Sequence, residues 1–216
     1  MTRSYAAFLF DVDGTLISSI ASAERVWTAW ALRHGVDVAS FLPSIHGVRS
    51  VDTIARLGLP GIDAEAEAAL IEIAEIADTE GIVEIPGAAA FVSSLPPDRW
   101  AIVTSASLEL ARRRLAAAGM PLPAVMITAE DVTRGKPDPQ GYRLAAKRLG
   151  VDPADCLVFE DAPAGIGAGK AAGAEVVVIT ATHSHPVAAD LRSVDDYRGL
   201  TARLDGGDRL VLLEAG

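Results

Sequence analysis

Acidic residues at two places in the sequence have the types and spacing that chemistry on a phosphate group requires. Asp11 and Asp13 stand two residues apart, directly after a short apolar run. Glu160 and Asp161 follow another apolar run much later in the chain. Carboxylates brought together repel one another unless a cation lies between them, and an oxygen-rich site of this kind suits Mg²⁺. The two acidic pairs therefore predict a magnesium site.

The individual residues also have expected tasks in phosphoryl transfer. Asp11 is expected to attack phosphorus as a nucleophile, and Asp13 to act first as an acid and then as a base. Lys136, between a glycine and a proline, is expected to neutralise phosphate charge, although a lysine in such a loop is often merely solvated. Thr104 and Ser105 follow the apolar run Trp100 to Val103 and are expected to contact phosphate, although either could instead cap the next helix.

The elements that must position these residues are short apolar runs, each four to six residues long. The runs are Ala7 to Phe10, Trp100 to Val103, Ala124 to Ile127, Cys156 to Phe159 and Glu175 to Ile179. Helical patterns such as Leu108 to Ala118 and Gln140 to Leu149 lie between the later runs. This alternation predicts an α/β fold with a Rossmann-like parallel sheet, and the polar residues follow the strands at its ligand-binding edge.

The spacing of the predicted strands breaks once, because roughly 90 residues separate the first from the second, too many for one crossover. Three helical patterns, Ala21 to Arg33, Ser50 to Leu57 and Ala64 to Thr79, fill the interval. We therefore expect a core domain of residues 1–17 and 85–216 and a small inserted α-helical domain of residues 18–84. In the tail, a helix is expected through Tyr197 to Leu204, followed by a turn at Gly206 and Gly207.

Composition restricts the partners. The formal net charge of -10 argues against nucleic acid as a partner, so a small phosphorylated metabolite is expected to need local compensation by Lys, Arg or a metal. The single cysteine excludes an internal disulfide framework and fits a reducing compartment. The N-terminal apolar run is too short for a signal peptide or a membrane span. We expect a cytoplasmic protein with no membrane partner, a monomer or a weak homodimer.

Four motifs in order resemble those of the haloacid dehalogenase superfamily over essentially the whole chain. They are Asp11 to Thr15, Thr104 or Ser105, Lys136, and Glu160 with Asp161. Within that family the sequence is most similar to bacterial sugar phosphatases and the 2-deoxyglucose-6-phosphatase group. That closer likeness rests on Phe159 to Ile166, Lys136 to Pro139 and His46 to Arg49.

The resemblance implies specific roles. It implies that Asp11 is phosphorylated and that Asp13 protonates the leaving group and later activates water. Mg²⁺ would be held by Asp11, the Asp13 carbonyl and Asp161, with Glu160 as a second candidate, directly or through water. Thr104 or Ser105 would hydrogen-bond the phosphoryl oxygens. The inserted helices would form a cap that closes over the substrate.

Within the cap, the same resemblance places Arg49 near the phosphate or a sugar hydroxyl, with an ordinary surface role as the alternative. Trp27 is expected in the cap core and could also line the substrate chamber. His183 and His185 fall in a loop after the fifth apolar run, where a solvated position is favoured over metal binding.

Rival functions are disfavoured by single residues. A sugar phosphomutase of the same family would carry a histidine on the first cap helix, where this sequence has Ala23. A dehalogenase would lack the acid at Asp13. A non-catalytic sensor would have lost a carboxylate or the lysine. The substrate stays open among hexose, pentose, polyol and glycerol phosphates.

Overall fold

The computed structural model describes residues 3–183 and 191–214, and contains both kinds of element that the sequence predicts. The strands, in chain order, are β1 (Ser4–Tyr5), β2 (Ala7–Phe10), β3 (Ile17–Ser18), β4 (Val83–Glu84), β5 (Trp100–Val103), β6 (Val125–Ile127), β7 (Cys156–Glu160), β8 (Glu175–Ile179), β9 (Arg192–Val194), β10 (Leu200–Leu204) and β11 (Leu210–Glu214). The helices are α1 (Ile20–Arg33), α2 (Val38–Phe41), α3 (Ser50–Leu57), α4 (Ala64–Ala77), α5 (Ala88–Ser93), α6 (Leu108–Ala117), α7 (Gln140–Leu149) and α8 (Pro163–Ala172).

The main sheet has six strands in the order β6-β5-β2-β7-β8-β9, and every neighbouring pair is parallel. Strand β2 lies in the middle, and all four of its residues are buried. Its side chains alternate, so Phe8 and Phe10 pack in the core on one face while Ala7 and Leu9 pack on the other. This buried position explains why β2 is apolar throughout. The predicted α/β fold with a parallel sheet is confirmed.

The helices α1 to α4 lie between β3 and β4, in the interval where the strand spacing breaks. They have a hydrophobic core of their own, which contains Trp27, Trp30, Phe41, Ile54 and Ile71. Strands β3 and β4 pair with each other in an antiparallel ribbon at the two ends of the interval. An inserted helical domain of this kind agrees with the predicted fold class, while the boundaries at residues 18 and 84 stay predictions.

The C-terminal part differs from the sequence prediction. A helix was expected through Tyr197 to Leu204, but residues 200–204 form β10, which pairs antiparallel with β11 and, through it, reaches β1. The helix prediction was wrong because a local pattern cannot show that a later segment supplies hydrogen-bond partners. Strand β9, only three residues long, extends the main sheet beyond the five predicted strands. Within the described residues, no helix is long and apolar enough to cross a bilayer.

Candidate active site

The loop after β2 brings Asp11 to the carboxyl edge of the sheet. The main-chain N–H of Asp11 donates to Phe159 O at 3.0 Å, which continues the pairing with β7. Three residues later the chain turns at Gly14, whose φ of +89° is a left-handed conformation that favours glycine. A Cβ at Gly14 would lie 2.0 Å from Oδ2 of Asp161, so the glycine is also needed to leave room for that carboxylate.

Lys136 joins the nucleophile candidate to the acidic pair of β7. Its Nζ atom donates to Oδ1 of Asp11 at 2.5 Å and to Oε1 of Glu160 at 2.6 Å. All three side chains are buried, so these charges interact with little solvent between them. The structure thus places one lysine between two acids that lie far apart in the sequence.

The carboxylate of Glu160 is saturated with hydrogen bonds from the protein. Oε1 accepts from Lys136 and from the hydroxyl of Tyr142, the latter at 2.8 Å. Oε2 accepts from the main-chain N–H groups of Asp161 and Ala162 at 3.0 and 3.2 Å. A carboxylate has about four acceptor positions. A metal contact by Glu160 would therefore replace one of these hydrogen bonds.

Burial and crowding shift the titration of this region. Burial, together with Glu160 and Asp13, raises the pKa of Asp11 to about 8, although Lys136 acts in the opposite sense. Burial, Glu160 and Asp11 likewise hold the pKa of Asp161 well above its ordinary value. Burial alone would lower the pKa of Lys136, but the two carboxylates raise it, so the lysine stays charged. The positive charge that the protein supplies is therefore too small to offset the repulsion among these buried carboxylates.

The carboxylates of Asp11, Glu160 and Asp161, called the carboxylate cluster below, fit a hard divalent cation. Each offers an oxygen, and these oxygens lie within 4.8 Å of one another. Hard oxygen donors are the ligands that Mg²⁺ prefers, and a cation here would relieve the repulsion that raises the carboxyl pKa values. The side chain of Asp13 is not in the cluster, so a metal contact by Asp13 would come through its main chain.

The side chain of Asp13 is held by two other residues. Its Oδ1 accepts from the hydroxyl of Ser19 at 2.5 Å, and Nη1 of Arg114 lies 3.1 Å from the same oxygen. Arg114 is on α6, and its Nη2 lies 3.0 Å from Oε1 of Glu75 on α4. Asp13 is therefore tied to the inserted helices through a buried arginine.

A cavity of about 70 Å³, called the chamber below, separates the sheet edge from the inserted helices. Its walls include Asp11, Asp13, Ser19, Ala23, Trp27, His46, Thr104, Ser105, Glu75 and Arg114. The hydroxyl of Ser105 donates to Gly47 O at 3.1 Å, while Thr104 Oγ1 accepts from the N–H of Ala106. Ser107, and neither Thr104 nor Ser105, caps α6 by accepting from the N–H of Leu110.

Other predicted residues lie outside the chamber or have a second role. The guanidinium of Arg49 pairs with Asp52, with Nε 2.7 Å from Oδ2, so its contact with substrate stays a prediction. Trp27 does both things expected of it, since it packs in the core of the inserted helices and lines the chamber. His183 is half-buried and its Nε2 donates to Asp161 O at 2.8 Å, which differs from the expected solvated position. His185 lies outside the described residues.

Sequence reasoning missed Tyr142, Arg114 and Glu75. Arg114 falls on the buried face of α6 with Leu110 and Leu115, and Glu75 shares the buried face of α4 with Ile71. A charged residue at a buried helical position was therefore visible in the pattern of each helix. Tyr142 gave no such signal, because a tyrosine on an apolar helix face is ordinary.

Comparison with known proteins decides the family. A family model for haloacid dehalogenase-like hydrolases matches residues 5–173, well over half of the chain. The chain belongs to this family. Hexitol phosphatase A of Escherichia coli is 45% identical over 83% of this chain and 85% of that protein. The 2-deoxyglucose-6-phosphate phosphatase 1 of Saccharomyces cerevisiae is 36% identical over 84% of this chain and 82% of that protein.

The fold of this haloacid dehalogenase-like hydrolase also matches solved structures. A hydrolase from Pseudomonas syringae superposes with a TM-score of 0.78 at 26% identity, covering 88% of this chain and 94% of that one. The predicted family, its likeness to sugar phosphatases and the assignment as a hydrolase are confirmed.

Proposed function

We propose that this protein is a phosphatase that hydrolyses the phosphate ester of a sugar or polyol, with Asp11 as the nucleophile. The observation that carries this is the position of the Asp11 carboxylate. It is buried, lies 2.5 Å from the ammonium of Lys136 and faces a chamber that Asp13 also lines. An oriented carboxylate beside a fixed cation, with a second acid two residues away, is what two-step phosphoryl transfer needs.

The two steps balance with the phosphate ester, one water molecule, Asp11 and Asp13 as the reacting groups. In the first, a carboxylate oxygen of Asp11 bonds to phosphorus, the bond from phosphorus to the alcohol oxygen breaks, and Asp13 gives its proton to that oxygen. In the second, water attacks phosphorus, Asp13 takes a proton from the water, and the bond from phosphorus to Asp11 breaks. Inorganic phosphate is then released. Ser19 and Arg114 orient the carboxylate of Asp13 for both proton transfers.

The remaining residues stabilise charge. Lys136 lies where it can neutralise a phosphoryl group on Asp11, and Thr104 and Ser105 offer hydroxyls from the neighbouring strand end. Mg²⁺, held by Asp11, the main-chain carbonyl of Asp13 and Asp161, would neutralise further negative charge on the phosphoryl group. Glu160 holds Lys136 in place and is a further candidate ligand of the metal.

The choice of a sugar or polyol as substrate rests on the relatives. The two enzymes compared above are named as phosphatases of hexitol phosphate and of 2-deoxyglucose 6-phosphate, and each matches this chain over more than four fifths of its own length. A phosphomutase of the family would carry a histidine at position 23. Here the chamber wall at that position is the methyl group of Ala23, which cannot transfer a proton. A cytoplasmic location, a monomer or weak homodimer, and the lack of nucleic-acid or membrane partners stay predictions.

The inserted helices are proposed to act as a cap. The chamber of about 70 Å³ is walled on one side by the sheet edge that carries Asp11 and on the other by Ala23 and Trp27 of the inserted helices. A substrate is therefore expected to enter with these helices moved away from the sheet edge. Their return would exclude water while Asp11 reacts.

The experiment is a phosphate-release assay of the purified protein with Mg²⁺ against sugar, polyol and small-acid phosphates. Asp11→Asn tests the nucleophile, and Asp98→Asn, the same change at an exposed residue, is the matched control. Release that requires Mg²⁺ and Asp11 and survives in the control supports the proposal. Release that survives in Asp11→Asn rules out Asp11 as the nucleophile, and isomerisation of glucose 1-phosphate without release would indicate a mutase.

A further inference from the structure

A buried ion pair on the chamber wall joins Arg114, which orients Asp13 in the two reaction steps proposed above, to Glu75, which has no task in them. Arg114 belongs to α6, beside the sheet, and Glu75 belongs to α4, among the inserted helices. Their exposed fractions are 5% and 4%, and both side chains line the chamber that Asp11 faces. A pair of this kind costs desolvation, so its presence at the chamber calls for an explanation beyond stability.

The hydrogen-bonding capacity of Arg114 is only partly used. A guanidinium has five N–H donors, and Nη1 is directed at Asp13. Nη2 lies 3.0 Å from Oε1 of Glu75 in the ion pair. Nε is fully buried, yet within the described part of the chain it has no hydrogen-bond partner. A buried donor left in this state is costly, and an oxygen of the substrate beside the guanidinium would satisfy it.

The charges of the chamber restrict what that acceptor is. Asp11, Asp13 and Glu75 make the walls acidic, so a second anionic group on the substrate would be repelled there. A hydroxyl group has no charge and can both donate and accept a hydrogen bond. It can therefore accept from Arg114 while donating to Glu75. The indole of Trp27, which also lines the chamber, suits the C–H groups of a carbon chain.

We propose that Glu75 and Arg114 bind hydroxyl groups of the substrate's carbon chain and so make the enzyme selective for polyhydroxylated phosphate esters. This rests on the proposed phosphatase function and names the residues that select its sugar or polyol substrate. Because Arg114 belongs to α6 beside the sheet and Glu75 to α4 among the inserted helices, a hydroxyl-bearing chain bound at this ion pair contacts both parts. Glu75 is thus a specificity-determining residue, and it does not touch the reacting phosphorus.

The test compares two substrates of equal carbon number, glucitol 6-phosphate and hexyl phosphate, which lacks the hydroxyls. The wild-type protein is expected to prefer glucitol 6-phosphate. In Glu75→Gln the ratio of the two kcat/KM values is expected to fall by about tenfold or more, mainly through a higher KM for the polyol ester. Glu72→Gln, the same change one turn earlier on α4 and outside the chamber walls, is the matched control and should keep the wild-type ratio.

A second variant separates recognition from folding. Glu75→Asp keeps the charge on a shorter side chain and is expected to give a ratio between those of the wild type and Glu75→Gln. An equal loss on both substrates in Glu75→Gln would overturn the proposal in favour of a purely structural ion pair, as would a wild-type protein that hydrolyses both esters equally well. Failure of the wild type on every phosphate ester would instead overturn the phosphatase function itself.

Discussion

The hydroxyl of Tyr142 donates a 2.8 Å hydrogen bond to Oε1 of Glu160, the same oxygen that accepts from Lys136. Tyr142 comes from α7 and Glu160 from the end of β7, so this contact fixes a helix against the carboxyl edge of the sheet. Both side chains are fully buried. The position of Lys136 therefore depends on a residue that does not line the chamber.

Tyr142→Phe is expected to lower the free energy of unfolding by about 1.5–3 kcal/mol, because a buried hydrogen bond to a charged acceptor is lost. Urea unfolding measures this. Tyr197→Phe is the matched control, since the hydroxyl of Tyr197 is buried without a partner in the described ranges, and its loss should leave stability unchanged or slightly higher. Equal destabilisation of both variants would contradict the role given to Tyr142.

Gly165→Ala should disable the site from outside the chamber. A Cβ at Gly165 would lie 1.6 Å from Oε1 of Glu160. The Glu160 carboxylate accepts four hydrogen bonds, two on each oxygen, so it cannot move away without breaking them. We expect at least about a hundredfold loss of kcat through misplacement of Lys136.

Gly167→Ala, in the same helix, is the control for Gly165→Ala. Its nearest neighbour would be Pro137 Cβ at 3.5 Å, an ordinary contact. This variant should retain activity and gain about 0.5–1 kcal/mol of stability from the better helix former. The comparison is made by steady-state kinetics and thermal unfolding, and full activity of Gly165→Ala would refute the steric argument.

Lys136→Met should affect both stability and activity. Removal of the buried cation leaves Asp11 and Glu160 without their shared partner, which we expect to cost about 3–5 kcal/mol of unfolding free energy. Phosphate release should fall to background. Lys147→Met makes the same change at an exposed position of α7 and should leave both the free energy of unfolding and phosphate release unchanged. A stable, active Lys136→Met protein would contradict both roles given to this lysine.

The response of stability to pH should depend on Mg²⁺. The folded, metal-free protein raises the pKa of Asp11 to about 8 and that of Asp161 well above its usual range, whereas both titrate near about 4 when unfolded. Between about pH 4 and about pH 8 Asp11 therefore binds more protons in the folded state than in the unfolded state, so its contribution to the free energy of unfolding is lost as the pH rises through that range, and the raised pKa of Asp161 acts in the same direction. Mg²⁺ favours the charged carboxylates, so its stabilising effect should grow with pH.

Thermal unfolding with excess Mg²⁺ or with EDTA, between about pH 5 and about pH 9, measures this linkage. Asp161→Asn is the control, since it removes one of the raised carboxyls. The growth of the Mg²⁺ effect with pH should be smaller in that variant. A shift in unfolding midpoint that is the same at every pH would show that the carboxylate cluster does not bind the metal.

The sequence was sufficient to predict the carboxylates that come at the ends of the parallel strands. Asp11, Glu160 and Asp161 could be predicted because parallel strands end at one edge, and the structure does bring them together with Lys136. Arg114 and Glu75 were missed although each is a charge on an apolar helix face. The two side chains meet only because α6 and α4 approach each other beside the chamber, and the residue pattern of either helix alone does not predict that approach.

The tail shows the same limit for backbone pairing. Residues 200–204 were predicted as a helix, yet they pair with residues 210–214 across the turn that Gly206 and Gly207 indicated. Two short strands on either side of a glycine turn are typical of a hairpin, so the turn was the better guide. The edge strand Arg192–Val194 is too short to give a periodic signal of its own.

The ribbon of β3 and β4 has a consequence for how new substrate ranges could arise. Ser18 pairs with Val83, so the chain leaves the sheet side and returns to it at directly opposed positions, about 5 Å apart. Any helical segment whose ends can meet at that spacing could be grafted there without altering the strands that carry Asp11 and Asp161. Recombination at this one junction would exchange the inserted helices as a cassette, and a new segment would need a hydroxyl in place of Ser19 to keep the contact with Asp13.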